Sequence, residues 1–131
     1  MTRIVDSLTP HVLSLLRIMT ALLLMQHGTT KVLGFPVTPQ TGVSFTTPGG
    51  IAGLFELFGG ALLLIGLFSR PVAFVLSGMT AVAYFLVHAP RDFFPILNGG
   101  ELAALYCFTL FFLAFAGPGP WSVDRLIGKK I

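Results

Sequence analysis

Residues 51–88 read IAGLFELFGGALLLIGLFSRPVAFVLSGMTAVAYFLVH, two apolar runs divided by Ser69-Arg70-Pro71. Each run, Ile51 to Phe68 and Val72 to His88, is close to the ~20 residues with which a helix crosses a hydrocarbon core of about 30 Å. Backbone in lipid must satisfy its own hydrogen bonds, so both runs are expected to be helices. The tight turn between them makes the two antiparallel neighbours. Working outward, Leu8 to Leu33 is a similar run, with Thr9-Pro10 as a cap and first-turn proline. Pro48-Gly49-Gly50 precedes the second run and Ala89-Pro90 breaks the third. A fourth, Gly99 to Ala116, is stopped by Gly117-Pro118-Gly119-Pro120. The expected fold is all-α, an integral membrane four-helix bundle forming one domain over residues 1–131, with an amphipathic tail at 117–131.

Composition agrees. Of the 131 residues, 54% are hydrophobic and only 10% charged, too few charges to cover a soluble domain of this size. The net charge of +3 is scattered, with no basic block, which argues against nucleic acid as a partner. A single cysteine, Cys107, excludes an internal disulfide, a dithiol redox pair and a CxxC metal motif within one chain; it reads as a small packing residue. The first apolar run continues past twenty residues with no Ala-x-Ala-like site after it, so it reads as a retained span rather than a cleaved signal.

Basic residues in the connections set the orientation. Arg3, Arg70, Arg125, Lys129 and Lys130 fall on one side, against Arg91 and Lys31 on the other. This bias places both termini in the cytoplasm. In the tail WSVDRLIGKKI, Trp121 reads as an interfacial anchor with basic residues beyond it.

Strongly polar side chains inside the spans are few, and most share one depth. Gln26, His27 and Lys31 lie toward the outer end of span one; Glu56 is about two turns into span two. Tyr84 and His88 close span three, and Asn98 and Glu101 open span four. Arg17 alone lies nearer the inner half, where it is expected to snorkel or brace the bundle. At ~100° per residue, Arg17, Thr20, His27, Gly28 and Lys31 share a stripe from which Gln26 points away. Ser77, Thr80, Tyr84 and His88 share another. Gly53, Glu56, Gly59 and Gly60 make a face of small residues that lets a neighbouring backbone come close. A lone charge at mid-bilayer costs ~3 kcal/mol or more, so these groups should face inward and find partners. Lys31 is available to Glu56 or Glu101, His27 and His88 can serve either acid, and Asn98 can cap span four. The expectation is one polar pocket between helices, in the outer half, that includes Glu101. For each residue taken singly a structural role competes, since a Lys–Glu pair can simply fix helix register.

Four stretches carry a family resemblance: HGTTKVLGF (27–35), ELFGGALLLIGLFSRP (56–71), NGGELAALY (98–106) and GPGPWSVD (117–124). In this order and spacing they resemble the DoxX family of small bacterial membrane proteins, over nearly the whole chain. The resemblance implies a four-helix bundle in the bacterial inner membrane. It also implies a link, in some relatives, to thiosulfate or sulfide oxidation with quinone as acceptor. Other relatives belong to oxidative-stress complexes with superoxide dismutase and a sulfurtransferase. Carried over by position, the matching residues are Lys31, Glu56, Asn98, Gly100 and Glu101. The expected fold is also similar to that of the vitamin K epoxide reductases, but the essential cysteines of those enzymes are missing here, which removes a thiol relay within one chain.

The leading expectation is a subunit of a membrane redox complex, a quinone-linked oxidoreductase subunit that binds a quinone-like molecule in the outer-half pocket. Such a ligand needs an apolar slot and polar groups at its oxygens. His27, Tyr84 or His88 would donate there, with Asn98 and Gly100 shaping the site. Glu56 or Glu101, with His88, would take up or release protons, and Lys31 would hold a neighbouring acid ionised. Electrons would come from a partner protein, because no haem, flavin or Fe–S motif is visible. Membrane lipid is the other partner, and a homo-oligomer stays open. Two alternatives stand beside this: a structural or chaperone-like membrane subunit, and transport of a small solute or metal ion by His27, His88, Glu56 and Glu101, which lack any recognised metal-ligand spacing. The loop Phe35 to Gly50 lies on the side of the polar groups and would cover the pocket or merely link two spans.

Overall fold

A computed structural model describes residues 1–128, and every element in them is helical. Four long helices form the bundle. Helix α1 spans Thr2–Leu33, α2 Pro48–Ile65 and α3 Ser69–His88, and α4 Glu101–Ala116. The first three are long and apolar enough to cross a membrane; α4 is apolar but shorter. The protein is an all-helical integral membrane bundle. Its outward faces carry exposed Leu, Phe, Val and Ile along every helix, as a lipid-facing surface requires. The core is small: Ala21, Leu24, Leu63, Ala73, Leu76, Tyr106, Leu110 and Leu113.

Several boundaries differ from the sequence reading. Helix α1 begins at Thr2, with Pro10 inside it. The Thr9 hydroxyl donates back to the Val5 carbonyl at 2.8 Å, so Thr9 is an interior residue and not a cap. Ser69-Arg70-Pro71 is the first turn of α3 rather than the connection. The turn is Gly66 to Phe68, where Gly66 and Phe68 both adopt left-handed backbone. The N-terminus of α3 is capped from a distance: the Asp124 carboxylate accepts from the backbone N–H groups of Phe68 and Ser69, each at 2.8 Å. These donors would otherwise be orphans at a helix start. At α4 the left-handed Gly99 delays the start to Glu101.

Helix α1 packs along α2, and α3 along α4; α1 and α4 meet over a shorter length. The hairpin neighbours α2 and α3 are therefore not the tightest pair. Glycine makes the α1–α2 approach close. A Cβ on Gly28 would stand 2.7 Å from Leu57 Cα, and one on Gly60 would run into Met25. Ser77 ties α3 to α4 by donating to the Cys107 carbonyl at 2.8 Å, and Cys107 itself is half-buried.

The chain end is not a free amphipathic tail. Ser122 and Asp124 are buried, and only Val123–Leu126 form a helical turn. Residues 117–124 fold under the bundle because Arg17 demands it. Arg17 is 1% exposed. Its guanidinium donates to the carbonyls of Pro118, Trp121 (2.6 Å) and Leu64 (3.4 Å). It does not snorkel; it is held by backbone acceptors that the Gly-Pro segment presents. The Trp121 ring stays half-exposed, edge-on to His11 at 5.4 Å. Lys129 and Lys130 lie outside the described residues.

The glycine approach gives a paired test. Gly28→Val should force α1 from α2 and cost about 2–3 kcal/mol, as overpacking does. Gly78→Ala, where an added Cβ inside helix α3 meets nothing within 4 Å, should keep or slightly raise stability. Denaturation in mixed micelles reads both.

Candidate functional site

The expected polar groups come together as two sets, not one. The first is built on α1 and α2. Lys31 Nζ donates to both Glu56 oxygens, at 3.0 and 2.8 Å, and both side chains are about nine-tenths buried. The pairing has two local causes. Gly53 offers no side chain, so the Lys31 stem lies across it; a Cβ there would stand 2.9 Å from Lys31 Cβ. Glu56 also sits in a π-helical turn, Phe55–Gly59, a local widening that recurs at functional sites. It re-aims the carboxylate toward α1.

His27 lies one turn before Lys31. Its ring meets Tyr106 of α4 edge-on, centroids 6.2 Å apart, and Glu56 and Lys31 are within electrostatic reach of it. His27 also lines a cavity of about 410 Å³ shared with Gln26, Thr30 and the loop residues Pro36, Thr38, Pro39 and Gln40. The loop is a fixed wall rather than a loose lid. Thr30, 3% exposed, donates to the Pro36 carbonyl at 2.6 Å, and its oxygen lies 2.8 Å from the Thr38 hydroxyl and 3.2 Å from that of Thr41.

The second set joins the end of α3 to the chain entering α4. Tyr84 and His88 bound another π-helical turn. Asn98, 2% exposed, donates to the Tyr84 hydroxyl at 3.2 Å and to the Asp92 carbonyl at 3.1 Å. Its side-chain oxygen accepts from the Gly100 N–H at 2.7 Å. His88 Nδ1 faces the Asn98 carbonyl at 3.0 Å, which only accepts, so that nitrogen carries the proton. Gly100 lets the Tyr84 ring lie against the backbone. Asn98 is therefore not the cap of α4, whose N-cap residue is Gly100; it closes an Asx-type turn onto that residue.

Glu101 departs from the expected pocket. It is exposed, and its carboxylate makes no hydrogen bond or ion pair among the described residues. The cause is the left-handed Gly99, which turns Asn98 inward and leaves Glu101 on the outer side of the first turn of α4. There an acid favours the helix N-terminus. His88 is likewise engaged in the second set, away from Lys31 and Glu56. The four ligand-type residues His27, His88, Glu56 and Glu101 are not brought together. Among the described residues no group of three or more His, Cys, Asp or Glu is placed to hold a metal ion.

The sequence reading passed over Tyr106, which is buried against His27, and Asp124, which caps α3. NGGELAALY ends on Tyr106, but a tyrosine in an apolar helix gives no sign of which neighbour it faces. A separate groove of about 530 Å³ lies between α2 and α3, lined by apolar residues such as Phe55, Phe58, Leu62, Val72 and Val75. It carries none of the polar groups.

Residues 12–89 match the DoxX family model. The chain belongs to the DoxX family. An uncharacterized protein of Haemophilus influenzae is 41% identical over 126 residues, covering 92% of this chain and 94% of that protein. Inner membrane protein YqjF of Escherichia coli K12 is 31% identical over 121 residues, covering 87% and 90%. A second uncharacterized Haemophilus influenzae protein is 35% identical over 74 residues, 56% of this chain and 49% of its own length. No solved structure matches. As a DoxX protein with three membrane-length apolar helices, this is an inner-membrane protein.

The ion pair can be tested by a double-mutant cycle. Lys31→Met or Glu56→Met alone strands a buried charge and should cost about 3–5 kcal/mol, while the double variant should recover most of that loss. Equilibrium unfolding in micelles measures all four proteins.

Proposed function

We propose that this DoxX protein is the membrane subunit of a quinone-linked redox system and takes a quinone-like head group in the cavity at His27. The chain crosses the membrane four times with both termini cytoplasmic, in keeping with Arg3, Arg70 and Arg125 at one end and Arg91 and Lys31 at the other. The His27 cavity then opens toward the outer face.

The observation that carries this reading is the double position of His27, which lines the cavity and also touches the buried polar set of α1, α2 and α4. The cavity volume falls within the range of about 300–1,000 Å³ usual for small-molecule sites. Pro36 and Pro39 supply apolar wall, while Gln26, Thr30 and His27 supply polar groups. A quinone in such a site accepts two electrons, here from a partner protein, and two protons. His27 is the residue placed to donate a hydrogen bond at the cavity wall. Lys31 and Glu56 pair beside it, and the Thr30-bound loop forms one wall.

A structural or chaperone-like role is the second reading. It is favoured by the closure of Lys31 and Glu56 on each other and by the Arg17 network, which both fix helix positions without any ligand. Titration of the purified protein with decylubiquinone separates the two. Saturable binding is expected, weakened about tenfold in His27→Leu, the loss of roughly one hydrogen bond to a ligand, and unchanged in Glu101→Gln. Absence of saturable binding, or equal binding by His27→Leu, leaves the structural reading in place.

A further inference from the structure

The Tyr106 ring belongs to the core, but its hydroxyl is not used by the fold. Only 7% of the residue is exposed, yet its hydroxyl has no hydrogen-bond partner among the described residues. Leaving a buried hydroxyl unpaired is unfavourable, and low local dielectric increases the penalty. The surroundings give such a group a purpose. The Tyr106 ring lies against His27, and Glu56 is within electrostatic reach of both. No hydrogen bond holds the His27 imidazole among the described residues; its one specific contact is that ring contact. The imidazole belongs both to the cavity wall and to the contact with Tyr106, so it is the residue that links the cavity to this set. In the second set, by contrast, Tyr84, His88 and Asn98 already bond one another.

We infer that the Tyr106 hydroxyl is a second hydrogen-bond donor, beyond His27, for a carbonyl oxygen of the bound head group. The binding position then extends from the loop-walled cavity past His27 to the ion pair. This rests on the quinone-like reading above and narrows the ligand class. Lys31 and Glu56 neutralise each other and Tyr106 is uncharged, so the head group is neutral and presents a carbonyl oxygen at its leading edge.

The experiment compares wild type with Tyr106→Phe in micelles, using decylubiquinone as the probe. Three quantities are read: affinity, the unfolding temperature without ligand, and the tyrosine vibrational difference between the two proteins with and without ligand. Tyr106→Phe should bind about tenfold more weakly and unfold at the same temperature or higher. The tyrosine signature of the wild type should shift on binding. Equal affinity in the two proteins overturns the role of Tyr106 and leaves the reading of the site intact. A clear fall in the unfolding temperature of Tyr106→Phe means that the hydroxyl is bonded within the resting bundle, and overturns it too. No binding by the wild type removes the reading of the site together with the inference.

Discussion

An ionised group in a hydrocarbon medium must be partnered, and this requirement organises the bundle at both of its ends. At one end Lys31 meets it with Glu56 in a two-pronged pair. That pair presupposes a glycine at position 53 for the lysine stem and a π-helical turn to aim the acid. At the other end Arg17 meets it with carbonyls of Leu64, Pro118 and Trp121. The Pro118 and Trp121 carbonyls are available only because the Gly-Pro segment after α4 folds back under the helices. Asp124 completes that end by capping α3. The segment GPGPWSVD is therefore read most simply as the clasp of the terminal end of the bundle.

Both ends leave buried polar atoms without a hydrogen bond among the described residues: His11 Nδ1, Arg17 Nε and Ser69 Oγ at the Arg17 end, and the Tyr106 hydroxyl near Lys31. They differ in the company those atoms keep. Around Arg17 the arrangement is architectural, with main-chain groups and a carboxylate committed to helix ends. Near Lys31 and Glu56 the groups are side chains, and two of them, His27 and Tyr106, have no hydrogen bond of their own among the described residues. A cavity adjoins the first of these. Buried polar groups are normally bonded, so open ones beside a cavity are where binding is best sought. The set at Tyr84, His88 and Asn98 is bonded internally and serves to fix the entry to α4.

Much of the fold could be read from the sequence because apolar length and helical phase are one-dimensional signals. In the expected stripe Arg17, Thr20 and Gly28 are buried and His27 and Lys31 partly buried, while Gln26 is exposed at the cavity rim. Of the expected small face, Gly53, Glu56 and Gly60 receive α1, but Gly59 lies against Leu76 of α3. Helix ends were less legible. Thr9-Pro10 looks like a start, yet helical backbone continues upstream of it, and Ser69-Arg70-Pro71 looks like a turn, yet the left-handed residues are Gly66 and Phe68. Nothing local to residue 68 reveals that its cap is Asp124. The candidate site was legible as a list of residue types at one depth but not as a grouping. Depth places Glu101 beside Lys31, whereas one left-handed glycine, Gly99, rotates it to the surface. Tyr106 escaped notice because a tyrosine in an apolar run becomes informative only when the fate of its hydroxyl is known.

Two cavities compete for a lipid-soluble ligand: the His27 cavity walled by the loop, and the wholly apolar groove between α2 and α3. Photolabelling with an azidoquinone in native membranes, followed by peptide mapping, separates them directly. The expected result is saturable labelling within residues 26–40, suppressed by excess unlabelled quinone. Label confined to residues 54–76, or label that excess quinone does not suppress, would contradict a binding site at His27.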